Sequence, residues 1–189
     1  MNKLLRADFH DKVAFNEDLK WCLIGTTIWS SIYLVIKLFK FHRLLIKDGT
    51  IDQIKDLENR VVSFLHGFGA LLLSGYHYMV IRTNCGELNS VYQRNVMIFS
   101  VSYFTYDLLA MYFEGLLDAA MIIHHPLCIF GFTLPLYENI SGNYAMMALF
   151  SSEISNPPMH VRQMMRLTGR RYTKTYEASE ISFILLYLF

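Results

Sequence analysis

Long apolar runs separated by short polar stretches dominate the chain, and their lengths predict helices that cross a membrane. The first run is 19–39, LKWCLIGTTIWSSIYLVIKLF, about the 20 residues a helix needs to cross a hydrocarbon core of roughly 30 Å. Lys20 and Lys37 stand near its ends, where long side chains snorkel, and Trp21 suits the interface. A polar stretch follows as far as Arg60, with Gly49 as the expected helix break and room for a short surface helix. The second run is 61–81, whose Gly67, Gly69 and Gly75 permit close packing between membrane helices. The third covers residues 96–117 and the fourth 119–137, so close together that antiparallel neighbours are expected. Pro126 and Pro135 are expected to bend the fourth helix. A fifth run, 142–165, has Pro157–Pro158 inside it or at its end. The last, SEISFILLYLF, offers only about ten suitable residues before Phe189 and is too short to span. The predicted fold class is all-α: a polytopic transmembrane bundle of five to six helices, the last one short.

Composition agrees with this pattern. Only 17% of the 189 residues are charged while 53% are hydrophobic, and 14 Phe and 12 Tyr exceed what a soluble domain needs. A large soluble helical protein could hold buried runs of this kind, but four successive ones are difficult to place in one water-soluble core of this size. The first 18 residues form a separate polar or interfacial segment, on which Leu4, Leu5, Phe9 and Val13 could make an apolar stripe. Asp8, Asp11, Glu17 and Asp18 interrupt its positive charge, which argues against a signal or transit peptide. Cys22, Cys85 and Cys128 are well separated and give neither a CxxC site nor an even disulfide framework.

Net charge is +1, which supplies no field for nucleic acid, and no nucleic-acid partner is expected. The basic residues are nevertheless uneven. Loops 37–60, 115–118 and 162–174 fall on one side of the predicted topology and collect eleven Lys and Arg, against six on the other. The positive-inside rule turns that richer side toward the cytosol or matrix. Asn139–Ile140–Ser141, on the other side, has the form of a glycosylation acceptor, a triplet that also occurs freely by chance.

The candidate chemistry lies in ionisable residues inside the runs. Asp107 sits mid-way along the third, where a lone carboxylate costs several kcal/mol unless protonated, paired or wet. Glu114 and Asp118 follow at spacings that share a face with Asp107 if the helix continues that far, and Tyr103 and Tyr106 add phenolic donors. His124 and His125 are adjacent, so they diverge by about 100° around a helix and cannot chelate one metal together. One of them beside Asp107 could move protons, or the pairing could simply lock helices together. Arg60, Ser63 and His66 recur at the start of the second helix, where Arg60 can grip a phosphate or merely snorkel. Glu153 and Ser155 precede the double proline, which either frees backbone groups for a headgroup or just ends the helix. The spacing of the histidines supports no particular metal, and no nucleophile elbow, P-loop or dinucleotide fingerprint is present.

RVVSFLH at 60–66, SYFTYDLLAMYF at 102–113, IHHPL at 123–127 and SSEISNPPMHVR at 151–162, taken in order, resemble the TLC-domain (TRAM, LAG1 and CLN8) membrane proteins over residues 20–189. The likeness is greatest to the branch outside the ceramide synthases. It implies a TLC-like transmembrane domain over 19–189, cut short at its C-terminal end, with a polar cavity and a role in lipid synthesis, sensing or transport. In the synthases the histidine pair and acidic residues of this domain take part in transferring an acyl group from acyl-CoA. By that resemblance His124, His125 and Asp107 would be catalytic here if the chain is an enzyme. The stretch after His125 lacks the further His-Asp and Asp residues of the synthases, and Glu153 with Ser155 resembles the other branch. The expected function is therefore binding or organising membrane lipid, with Arg60, His66, Tyr103, Tyr106, Glu153 and Ser155 as headgroup contacts. A lipid acyltransferase taking acyl-CoA as substrate and a structural subunit of a membrane complex are the alternatives. Neither metal nor cofactor is expected. Partners would be phospholipids or sphingolipids, and membrane proteins covering the short last helix. The resemblance implies the endoplasmic reticulum, with the mitochondrial inner membrane or plasma membrane as alternatives.

Overall fold

The structure is a computed structural model that describes the backbone of residues 2–46, 48–81, 84 and 86–188, and the side chains of these from Phe15 onward. The expected stripe of Leu4, Leu5, Phe9 and Val13, with Lys47, Arg82 and Cys85, lies outside the described side chains. Among the described residues seven α-helices follow one another: α1 Asn2–Leu38, α2 Ile51–Tyr76, α3 Val91–Glu114, α4 Ala119–Glu138, α5 Gly142–Glu153, α6 Asn156–Leu167 and α7 Lys174–Leu188. A short 3-10 turn, Phe41–Leu44, follows α1, and a π-helical turn, His77–Ile81, extends α2.

Local chemistry sets where the helices start. Thr50 and Gln53 cap α2 reciprocally through side chain and backbone, and Ser90 and Gln93 do the same for α3. Asp118 accepts from the backbone N–H of Met121 at 2.8 Å and caps α4. Helix α2 therefore begins ten residues before the apolar run that predicts it. Gly115, at φ 73°, ends α3 at Glu114. Asp118 thus leaves the helix that carries Asp107, and the expected shared face does not form. Glu114 instead turns to Lys37, with which it makes a close ion pair, and to Lys55 at 3.4 Å.

Four helical stretches have the length and apolar composition to cross a membrane: Phe15–Leu38, Ile51–Ile81, Val91–Glu114 and Ala119–Glu138. The expectation of five to six spans is corrected to four among the described residues. The predicted fifth breaks between Glu153 and Asn156 into two 12-residue helices, because prolines 157 and 158 lack the N–H groups that would continue α5. Neither piece is long enough to cross alone. They run in succession along α2, with Phe150 against Gly75 and Glu153 and Asn156 against Gly67. Helix α6 also packs on α7, a 15-residue helix that is as short as expected.

Helix α2 buries a polar face and exposes an apolar one. On α2 and the π-helical turn that extends it, Asn59, Ser63, His66, Ser74 and His77 are buried, while Leu65, Phe68, Leu72 and Tyr76 on the opposite face are about half exposed. In water that arrangement would be upside down; in hydrocarbon the outer apolar surface is solvated by lipid. Between α1 and α3 the contact is close enough for hydrogen bonds. Ser102 Oγ donates to the carbonyl of Cys22 at 3.1 Å, and Thr26 Oγ1 to that of Ser102 at 3.2 Å. At the far end of the bundle Arg94 holds Asp18 and, at 2.7 Å, Asn139 Oδ1, so the glycosylation-type asparagine is tied into the α4–α5 loop.

Gly25 sits where α1 meets Ser102, and any Cβ there would overlap that side chain. Gly25→Leu is expected to cost about 1–3 kcal/mol of stability, read as a lowered Tm in detergent. Gly131→Ala, where a Cβ meets nothing within 4 Å, is expected to leave the Tm within a degree or two of wild type.

Candidate functional site

Helix α4 packs on α3, while α5 and α6 pack on α2. Between these two groups lies a cavity of about 930 Å³. One end is lined by Asp52, Gln53, Asp56, Arg60 and Asp118, and the other by Leu127, Gly131, Phe132 and Ala148. The step of 14 positions from Asp118 to Phe132 sets its length along α4 at about 21 Å. Asp52, Asp56, Arg60 and Asp118 thus stand toward one end of the cavity, where Leu116, Met121 and Leu167 also line it, and the other end is apolar apart from Ser152.

Asp107 is 5% exposed and is the most heavily partnered group of the wall. Its Oδ1 accepts from Asn59 Nδ2 at 2.7 Å. Its Oδ2 accepts from the Tyr103 hydroxyl at 3.1 Å and lies 2.8 Å from His125 Nε2. The Tyr106 hydroxyl donates to Asn59 Oδ1 at 2.9 Å, which orients the amide so that its nitrogen faces the carboxylate. On the other side of the ring, His125 Nδ1 lies 3.1 Å from the carbonyl of Met121. A carbonyl only accepts, so Nδ1 carries a proton, and a second proton is shared between Nε2 and Asp107. Both ring nitrogens are thus engaged.

The remaining predicted residues divide plainly. Arg60, His66, His124 and Glu153 line the same cavity. Arg60 Nε stands 2.9 Å from Asp56. His66 stacks on Tyr103 with ring centres 3.8 Å apart, and its Nε2 is 3.4 Å from Ser100 Oγ. Glu153 Oε2 accepts from Asn156 Nδ2 at 2.7 Å. His124 diverges from its neighbour as adjacent helical residues must, and is exposed, with its ring 3.6 Å from Cys128 Sγ. Ser155 is buried at the α5–α6 break but does not line the cavity. Among the described residues, no three His, Cys, Asp or Glu side chains converge as metal ligands.

Sequence reasoning passed over Asn59, which joins α2 to Asp107. The signal was present: Asn59, Ser63, His66, Ser74 and His77 recur at steps of three, four and eight along one side of an otherwise apolar helix. It also gave His160 no role of its own, although that residue is buried and lines the cavity.

A family model for the TLC domain matches residues 56–189, and the chain belongs to that family, the TRAM, LAG1 and CLN8 group. The match starts later than the resemblance over 20–189 and leaves the whole of α1 outside it. The chain is a TLC-domain membrane protein with buried polar and histidine side chains, several of which line a half-open cavity. No solved structure matches it.

Asp107 and His125 are expected to behave as one unit. Asp107→Ala and His125→Ala should each cost about 3–5 kcal/mol, since each leaves a buried partner unmatched. The double variant should lose little more than either alone, measured by unfolding in mixed micelles. Additive losses would mean that the two residues are not coupled.

Proposed function

We propose that this protein binds a membrane lipid in the cavity between α4 and the α5–α6 pair, with the headgroup at the polar end and an acyl chain toward Phe132. The observation that carries this reading is the gradient along one cavity, from Asp52, Asp56 and Arg60 to Leu127, Gly131, Phe132 and Ala148. Such a gradient matches an amphiphile lying along the helices, and the volume falls in the range of sites for small organic molecules. Arg60, His66, His124, Tyr103 and Glu153 are the headgroup contacts within this wall. Tyr106 acts through Asn59, and Ser155 acts only by shaping the break. The polar end adjoins the loops that carry the excess of Lys and Arg, so the headgroup faces the cytosol. The endoplasmic reticulum, the compartment implied by the family, is the membrane proposed. The first 18 residues are proposed as an interfacial lead-in to the domain.

A second reading, acyl transfer from acyl-CoA to a lipid amine or alcohol, draws support from Asp107 and His125 in the cavity wall. Proton transfer by His125 would require it to give up Met121 or Asp107 first, because neither ring nitrogen is free. For this reason binding without turnover is the preferred reading. Exposed Ile181, Ile184, Leu185 and Leu188 on α7 are the surface on which a membrane protein partner would sit.

Gly131 lines the cavity with open space at its Cβ position, so Gly131→Phe places a ring in the apolar half without a clash at Cβ. Lipid co-purifying with the protein, quantified by mass spectrometry, is expected to fall at least about tenfold with little change in Tm. Unchanged occupancy would contradict lipid binding in this cavity. Under the preferred reading, wild-type protein given acyl-CoA and a panel of lipid amines and alcohols yields no acylated product.

A further inference from the structure

We infer that the connection between α1 and α2, residues 38–46, is a preformed binding surface for the anionic lipid headgroups of the leaflet it meets. It lies outside the cavity, and it stands or falls independently of what the cavity holds. Helix ends fix its depth. Lys37, in the last turn of α1, pairs closely with Glu114, the last residue of α3, and Lys55 of α2 lies 3.4 Å from the same carboxylate. The chain that leaves α1 at Leu38 therefore emerges where two of the four spans end, at the boundary between hydrocarbon and water. It is held there. The 3-10 turn Phe41–Leu44 is closed by the Arg43 N–H donating to the Lys40 carbonyl at 2.9 Å and the Leu45 N–H to that of His42 at 2.9 Å. His42 Nδ1 lies 2.6 Å from a carboxylate oxygen of the buried Glu58, which fastens the turn to α2.

What the connection turns outward selects the partner. Residues three apart in a 3-10 turn share a face, so with His42 directed at α2 the turn presents Phe41 and Leu44 together on another side. Leu38, Phe39 and Leu44 are 77%, 82% and 75% exposed. Lys40 and Arg43 are exposed beside them, and neither makes an ion pair among the described residues. Lys37, Lys40, Arg43 and Lys47 follow one another in the sequence with no Asp or Glu between them. Apolar side chains at headgroup depth suit the acyl boundary, while ammonium and guanidinium groups beside them attract lipid phosphate and carboxylate. An acidic protein would satisfy the same cations, but it would have to cover Leu38 and Phe39 at the very end of a spanning helix, where lipid is already the solvent.

The test uses the full chain in vesicles of phosphatidylcholine with a minority of phosphatidylserine. Phe39→Trp supplies a fluorescent reporter at an exposed position, and the quenching of Trp21 and Trp29 in the chain without it is subtracted. Two vesicle preparations are identical except that bromine, the quencher, is carried by a fixed amount of phosphatidylserine in one and of phosphatidylcholine in the other. Brominated phosphatidylserine is expected to quench the reporter at least about threefold more, and the preference should vanish in Lys40→Gln/Arg43→Gln. It should also vanish for the unaltered cations at about 1 M salt, where charges are screened within roughly 3 Å. Equal quenching by the two lipids overturns the inference, because headgroup charge is then not read at this surface. A preference that persists in the double variant or in salt overturns it too, by placing the selectivity elsewhere. Quenching by neither lipid shows that the connection does not touch the leaflet, which leaves a protein partner as its cover.

Discussion

A carboxylate inside a membrane-embedded bundle has to be met by donors, and the three that meet Asp107 come from three helices. Asn59 reaches it from α2, Tyr103 from one turn earlier on α3, and His125 from α4. An unmatched charge there would cost several kcal/mol, so the register of α2, α3 and α4 is constrained wherever these bonds form. The floor and one wall of the cavity follow from that constraint. Moving α4 by one turn, about 5.4 Å, would carry His125 away from Asp107 and Phe132 away from its stack on Phe104. A polar cluster of this kind fixes one packing among several that greasy helix faces would otherwise allow.

The opposite wall is held by different means. Helices α5 and α6 approach α2 through backbone proximity at Gly67 and Gly75 rather than through a charge network. Arg162 bonds Glu180 at 3.2 Å and lies over the Phe183 ring, which anchors α6 to α7. One side of the cavity is therefore fixed by buried polar bonds, and the other rests on close packing around a proline break. That asymmetry gives the cavity two unlike walls: one held by the bonds around Asp107 and His125, and one built around the α5–α6 break.

Much of the bundle was legible in the sequence because hydrocarbon selects for long uninterrupted apolar runs, and four such runs correspond to four long helices. Their starts were less legible. The caps Thr50–Gln53 and Ser90–Gln93 set the true N-termini, whereas hydropathy marks only where a helix becomes apolar. The fifth run failed as a span because residues 157 and 158 are both proline, a pair whose presence was plain in the sequence but whose effect, a break inside the run or only its end, was settled by the fold. Asp107 and His125 could be singled out by the cost of burying them, and their pairing lay in tertiary geometry. Asn59 was harder to see, as an amide beside Arg60 at a helix start reads as surface. The same holds for His160, whose unmatched nitrogen exists only once α6 is folded back against α2.

The central claim is that a lipid lies along the cavity with its chain among α4 and α5. It is tested most directly with a phospholipid carrying a photoreactive diazirine at the end of one acyl chain, incorporated into membranes that contain the protein. Irradiation and peptide mapping should place adducts on the cavity residues Leu127, Gly131, Phe132 and Ala148. Adducts confined to outward-facing residues such as Phe130, Leu134 and Tyr144 would mean that lipid only bathes the bundle, and would contradict the account.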